Sequence, residues 1–348
     1  MHGMLVYFIR RILLIPVTFL IITFMVYAVL RVVPGGPIEQ IQMRMQQAMQ
    51  EGGASGAASV DMKGGALPEE AIKELKEYYK LDRSIPVAYI LWLKGIFTLD
   101  FGHSYQVGEP VLDVIVSKFP ISIYFGLIGY FASWIVCIPL GVFKALKHKS
   151  LFDTSSSVLV FLGYSVPGFV ACLILLVFFG GGSYWNIVPL GGFRPDNWED
   201  LNWLSRVTTQ VHHTLVPMFG YMIGGFASMT ILMKNSLLEN LGSDYVRTAF
   251  AKGLTENRVI FVHALRNSLI PITAGIGHAL GLLFAGSFLI EKACNIPGMG
   301  YLGFTSLQAR DYPVVMGILV FGVLIQLVGN IISDLVWACI DPRIRFEK

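Results

Sequence analysis

Ser243-Asp244-Tyr245-Val246-Arg247-Thr248-Ala249-Phe250-Ala251-Lys252-Gly253-Leu254-Thr255-Glu256-Asn257-Arg258 is a polar, cap-marked segment set between two long apolar runs. Ser243 is placed to cap a short helix in which Val246, Ala249, Phe250 and Gly253 fall on one face at i, i+3, i+4 and i+7. Gly253 suits the left-handed residue that closes a helix, with Leu254 as its apolar partner and Thr255 free to cap the next helix. The expected product is a helix, a tight turn and a second helix. From Val246 to Lys252 the first helix is roughly 10 Å long, too short to cross a bilayer and suited to lie along its surface.

The flanks of this stretch belong to a series of apolar runs at about 12–30, 119–142, 154–180, 213–233, 269–290 and 313–339. The 348-residue chain is 54% hydrophobic and 14% charged. A soluble domain of this size needs about 25% charged residues to cover its surface, so the composition is that of an all-α integral membrane protein. A formal charge of +3 is too small to imply nucleic acid as a partner; membrane lipid is the expected surrounding. Cys137, Cys172, Cys294 and Cys339 have no paired spacing and read as small hydrophobes, with neither a disulfide framework nor a metal site. The first run follows Arg10-Arg11, exceeds the apolar core of a signal peptide and lacks a small-residue cleavage site, which makes it an uncleaved span.

Six spans put both termini on one side. The segments on that side, 1–11, 143–153, 234–268 and 340–348, hold 13 Lys and Arg, whereas the two short loops opposite hold 4. The positive-inside rule makes the termini cytoplasmic, and with them the loop 234–268 that carries the opening stretch. Residues 1–33 are then the N-terminus and first span, 34–118 an external insertion, 119–340 a five-span core and 341–348 a cytoplasmic tail. Within the insertion, 39–66 is rich in Gln, Met, Gly and Ala and reads as flexible, while 67–118 reads as helical. There Ile72, Leu75 and Tyr79 share a face behind Pro68-Glu69-Glu70, followed by Tyr89 to Lys94 and by Asp100-Phe101-Gly102-His103-Ser104.

Catalytic and energy-coupling patterns are mostly absent. The chain contains no G-x-x-x-x-G-K-[ST] phosphate loop and no H-E-x-x-H, and His212-His213 is an adjacent pair at a span entrance. His278 and Ser287 point to different sides of a helix, which disfavours an intramembrane enzyme. Asp334 is the one carboxylate well inside a run; a structural hydrogen bond or ion pair near the cytoplasmic surface suits it better than a proton relay, which needs a chain of such groups. A secondary transporter is disfavoured for the same reason, and energy must come from a partner.

Tyr245-Val246-Arg247-Thr248-Ala249-Phe250-Ala251-Lys252-Gly253-Leu254, followed by His263-Ala264-Leu265-Arg266-Asn267, resembles the cytoplasmic coupling loop of binding-protein-dependent ABC importer permeases of the dipeptide/oligopeptide branch. Leu81-Asp82 with Pro86, Trp92, Asp100 to Ser104 and Val111-Leu112 are similar to the external region of the B-type subunits of that branch. Glu291, Pro297-Gly298-Met299-Gly300, Arg310-Asp311-Tyr312-Pro313, Asn330, Asp334 and Asp341-Pro342-Arg343 follow in the family's order. The resemblance covers nearly the whole chain. Pro34-Gly35-Gly36-Pro37, Gly180 to Tyr184 and the terminal Asp341 to Glu347 are most similar to the Yej-type branch, which imports oligopeptides and takes up microcin-type peptide antibiotics. The chain departs from the general E-A-A-x-x-x-G motif at Arg247 and Thr248, keeps its Ala249 and Gly253, and has Arg266 and Cys294 where proline and an aromatic are common.

The resemblance implies a six-span type I importer permease working by alternating access. It is paired with a homologous C-type permease, ABC ATPase subunits that hold ATP and Mg, and a periplasmic peptide-binding protein. The chain itself would hold no cofactor and catalyse nothing, and it would lie in a bacterial inner membrane. Dipeptides, nickel or glutathione are alternative cargoes for the same machinery. Contact with the ATPase is assigned to Tyr245, Val246, Arg247, Ala249, Phe250, Lys252, Gly253, Leu254 and Glu256. Docking of the binding protein, a cap over the pathway or a structural plug fits Trp92, Asp100, Phe101, Gly102 and Ser104. Ser228, Met229, Met233, Asn235, Thr273 and Asp334 are the expected pathway or gate positions, and lipid-buried packing suits them equally.

Overall fold

A computed structural model describes residues 2–33, 69–78, 82–182, 184–273 and 286–340, with 36, 38–39 and 42–43 between the first two. Among the described residues the regular structure is helical, and β pairing is limited to two isolated bridges. Helix α1 is His2–Val32, followed by α2 (Glu69–Tyr78), α3 (Ile85–Phe97) and α4 (Val111–Leu146). Next come α5 (Leu151–Ser165), α6 (Gly168–Phe179), α7 (Trp203–Leu241) and α8 (Asp244–Ala251). Glu256–Arg258, a π-helical turn Val259–Ala264 and Leu265–Ser268 then run head to tail. After Ile270–Thr273 the described chain resumes with α9 (Phe288–Ala293), α10 (Met299–Gln308) and α11 (Tyr312–Ile340).

Among the described residues, four stretches, Val6–Val32, Val111–Leu146, Trp203–Leu241 and Tyr312–Leu335, are long and apolar enough to cross a membrane. Their outward side chains include Leu13 and Ile135, 65% and 73% exposed, which hydrocarbon accepts and water does not. The expected single span at 154–180 is instead two helices, α5 and α6, bent by 93°. Proline is the cause: Pro167 offers no N–H, and it drives the preceding Val166 to φ −94°, ψ 118°, outside the helical region. Pro139 and Pro217 lie inside continuous helices, so proline alone did not foretell the break. The expected run at 269–290 and the flexible and terminal segments 39–66 and 341–348 lie largely or wholly outside the described residues.

Two of the expected boundaries move. α4 begins at Val111, inside the segment assigned to the external insertion, and α7 overruns 213–233 at both ends over its 39 residues. The N-terminal extension of α7 is polar and starts at a capped turn, where Asn202 Oδ1 accepts from Ser205 N at 2.9 Å. Apolarity marks what the bilayer holds, whereas capping marks where a helix begins.

The contacts divide the chain into two units. One comprises Ile15–Ser117 and Gly303–Phe321. In it Tyr89 packs against Phe24 and Tyr27 and its hydroxyl meets Thr23 Oγ1 at 2.8 Å, tying α3 to α1. Trp92 lies against Tyr27 and Tyr89, and Phe101 stacks on Phe321 with centroids 5.4 Å apart. Asp311 is buried and gathers the Ser104 hydroxyl, Tyr105 N at 3.0 Å and Gln106 N at 3.3 Å, while Ser104 Oγ accepts from Val107 N at 3.0 Å. Asp311→Ala strands these donors, and thermal unfolding in detergent should show a loss of about 1–3 kcal/mol.

The other unit comprises Met1–Leu14, Lys118–Leu302 and Gly322–Lys348. Its described residues form two apolar cores. One gathers Val142, Met233, Leu237, Val246, Ala249, Val259 and Ile272, and the other Phe125, Cys172, Val216, Ile290, Cys294 and Ile296.

Candidate functional site

α7 runs without a break to Leu241 and turns through Gly242 and Ser243 into α8. Ser243 stands at the N-cap, but its hydroxyl donates back to Asn240 O at 2.5 Å and makes no cap bond, contrary to the capping expected of it. Tyr245 OH donates to Asn240 Oδ1 at 2.7 Å, closing the same corner. At the far end Gly253 takes φ +77°, with Gly253 N on Phe250 O at 2.9 Å and Leu254 N on Ala249 O at 3.4 Å. That paired closure is the left-handed helix end expected at Gly253. Thr255 precedes the next helix without a side-chain cap bond.

Packing divides the expected apolar face. Val246 and Ala249 are 1% and 7% exposed and root α8 in the core formed by Val142, Met233, Leu237 and Val259. Phe250 is 45% and Tyr245 40% exposed, alongside exposed Arg247, Lys252, Gly253 and Glu256. Leu254 packs against the core edge. Val246 and Ala249 therefore offer no side chain to a partner; they hold the helix that offers the others. Ser236 Oγ donates to Ser268 O at 2.9 Å, and Ser268 Oγ returns a 3.3 Å bond to Ser236 O, so the segments entering and leaving α8 are pinned together. Val246→Ala should cost about 2 kcal/mol of stability, whereas Phe250→Ala should stay within about 0.5 kcal/mol, both read from thermal unfolding in detergent.

A buried ion cluster lies beside the same core. Asp153, in the first turn of α5, takes Lys234 Nζ from α7 at 2.7 and 2.8 Å and Lys144 Nζ from α4 at 3.2 Å. Lys149 N donates to it at 3.1 Å, and His148 Nδ1 is 3.4 Å away. Lys144 is 1% exposed and also donates to Asp153 O, Ser156 Oγ and Ser157 Oγ at 2.7–2.9 Å. Two ammonium groups thus share one carboxylate, and three long helices meet at it. Sequence reasoning missed this site because Lys144 and Lys234 were counted as loop charge for topology; a lone Asp at a capped helix start between them was the available signal.

A cavity of about 740 Å³ opens among α4, α6, α7 and the chain before α9. Its walls carry glycines, aliphatic side chains and the hydroxyls of Tyr130, Ser133, Tyr221, Ser228 and Ser287, with no charged side chain among the described lining residues. Of the expected pathway positions, Ser228 and Met229 line it. Met233 is fully buried in the core, Asn235 is exposed, and Thr273 Oγ1 donates to Ile270 O at 2.9 Å. Asp334 forms an ion pair with Arg11 and accepts from Tyr7 OH at 3.2 Å, the paired role expected of it. In the external set Phe101 and Ser104 are buried and Trp92 is half-buried, so these side chains hold their own unit together. Asp100 is exposed and accepts from Gly102 N at 3.0 Å, with Gly102 at φ +79°.

Apolar helices of membrane-crossing length, a cavity with no charge among its described lining residues and a rooted helix presenting aromatic and basic side chains suit a membrane transport subunit. The chain belongs to the family of binding-protein-dependent transport system inner membrane components, matched over residues 137–346. It is 35% identical over 359 aligned positions to the inner membrane ABC transporter permease protein YejB of Escherichia coli O157:H7, covering 98% of this chain and 99% of that one. It is 34% identical to the peptidoglycan transport system permease protein YejB of Agrobacterium fabrum, with 98% of each chain covered. To the dipeptide transport system permease protein DppB of Bacillus subtilis it is 32% identical, again with 98% of each covered. The family is the membrane permease component of ABC importers, whose binding protein and ATPase are separate subunits.

Proposed function

We propose that this chain is the B-type half of an importer that moves oligopeptides, including microcin-type peptide antibiotics, across a bacterial inner membrane. The carrying observation is end-to-end similarity to the two YejB permeases and to DppB, over 98% of the chain in each case. A six-span C-type permease completes the pathway, and the ATPases bind ATP with Mg. With the termini cytoplasmic, Tyr245, Arg247, Phe250, Lys252 and Glu256 form the surface that meets the ATPase. α8 moves as a rigid body with α7 because Val246 and Ala249 fix it there. Each nucleotide state then favours one arrangement of the cavity by binding it better. A cavity whose described lining carries no charge suits cargo of varied sequence whose selection is made by the binding protein. The external helices dock that protein through exposed groups such as Asp100.

The test is reconstitution of the chain with its paired permease, ATPases and binding protein, followed by uptake of labelled peptides. ATP-dependent accumulation and an ATPase retained in detergent are expected. Transport by the isolated chain under a proton gradient, without ATP, refutes the assignment.

A further inference from the structure

Glu291, in α9, is fully buried. Its Oε1 accepts from Ser122 Oγ at 3.1 Å, Tyr221 OH at 3.2 Å and Ser287 N at 3.3 Å, and its Oε2 accepts from Tyr301 N at 2.7 Å. Ser122 Oγ in turn accepts from Met299 N at 2.7 Å. One carboxylate therefore ties α4, α7, the chain entering α9 and the first turn of α10, whose N-terminal N–H groups favour negative charge. Pro297-Gly298-Met299-Gly300 closes around it, and a Cβ at Gly298 would sit 2.5 Å from the carboxyl group. These donors replace the water a carboxylate gives up on burial.

The location of this cage is informative. Tyr221 and Ser287 line the 740 Å³ cavity, whereas Tyr301, Pro297 and Glu291 line a second cavity of about 330 Å³ with Arg194 and Asn295. The hydrogen bonds of Glu291 run between residues of the two linings. We propose that Glu291 is the positioning residue of a seal between the central cavity and an outer vestibule, and that outward opening separates its donors on α4 and α7. The assignment rests on the importer function proposed above. A polar seal suits a gate because water entering from the vestibule can replace each broken bond, so both arrangements keep the carboxylate solvated.

Ser287→Cys retains the backbone N–H and reports access to the seal. In the complete reconstituted importer, its labelling by a membrane-impermeant maleimide added outside should be slow without nucleotide and faster with a non-hydrolysable ATP analogue. The complex without the introduced cysteine gives the background. Glu291→Gln should raise nucleotide-free labelling about 10-fold, the scale of one or two lost charge-assisted bonds, and raise ATPase activity without binding protein. Tyr221→Phe removes one donor and should give a smaller rise; it decides the question if Glu291→Gln fails to assemble. Unchanged labelling and unchanged basal ATPase in the variants, with normal nucleotide dependence in their parent, overturn the seal alone. A parent with no nucleotide dependence overturns the importer function and the seal with it.

Discussion

Gly253→Asp leaves the protein in the membrane at its normal level and lowers ATP-driven peptide uptake at least about 100-fold, equivalent to about 2.7 kcal/mol lost at one interface. The two halves of this result have separate causes. Gly253 has φ +77°, where an L-residue is strained by about 1–2 kcal/mol and Asp is among the better tolerated. A Cβ there meets nothing within 4 Å among the described residues, which raise no steric objection. Insertion and folding therefore survive. On the proposed coupling to the ATPase the loss falls on that partner: the turn is exposed beside Phe250 and Lys252, and an unpaired carboxylate pressed into a protein interface is costly to desolvate. Gly253→Ala has the strain without the charge and should retain most uptake. Membrane immunoblots, uptake assays and ATPase retention separate the steps, and full uptake by Gly253→Asp would remove this turn from the coupling surface.

How much of this was legible in sequence varies with the range of the interaction. The end of α8 was readable because Gly253 and Leu254 act within one turn of the helix they close. The division of its apolar residues was not, since an amphipathic pattern says that a face is covered without saying by what. Val246 and Ala249 are covered by the chain itself and Phe250 is left open. The break at Pro167 had a local cause, but Pro139 and Pro217 show the same residue tolerated inside continuous helices, so proline in the sequence did not by itself announce the break. Ser104 read as an external docking group, and its partner, Asp311, lies 207 residues away. A separation of 81 residues likewise hid the pairing of Asp153 with Lys234.

Asp153→Asn is the second large effect, and it should destabilise the protein by about 3–5 kcal/mol, the cost of removing one partner of a buried ion pair. Asparagine preserves the shape and an acceptor oxygen, so the loss is that of charge. Two ammonium groups then face each other across an uncharged amide. Their situations differ: the Lys144 side chain is 1% exposed and the Lys234 side chain 16%. Lys234 can extend its flexible stem toward water, whereas Lys144 is enclosed. Removing the trapped charge should therefore help more than removing the freer one. Asp153→Asn with Lys144→Met should recover a larger part of the loss than Asp153→Asn with Lys234→Met, in thermal unfolding of the detergent-solubilised protein. Double-mutant cycles over each pair of the three residues give the pairwise terms. Equal recovery by the two lysine replacements would mean that burial does not rank the two charges. No recovery by either would locate the cost in the lost geometry of the α5 turn, where Asp153 also accepts from Lys149 N. If burial does rank the two charges, α7, which carries Lys234 and continues into α8, is joined to α5 by attraction to one carboxylate, and uptake should fall with the pair even where folded protein persists.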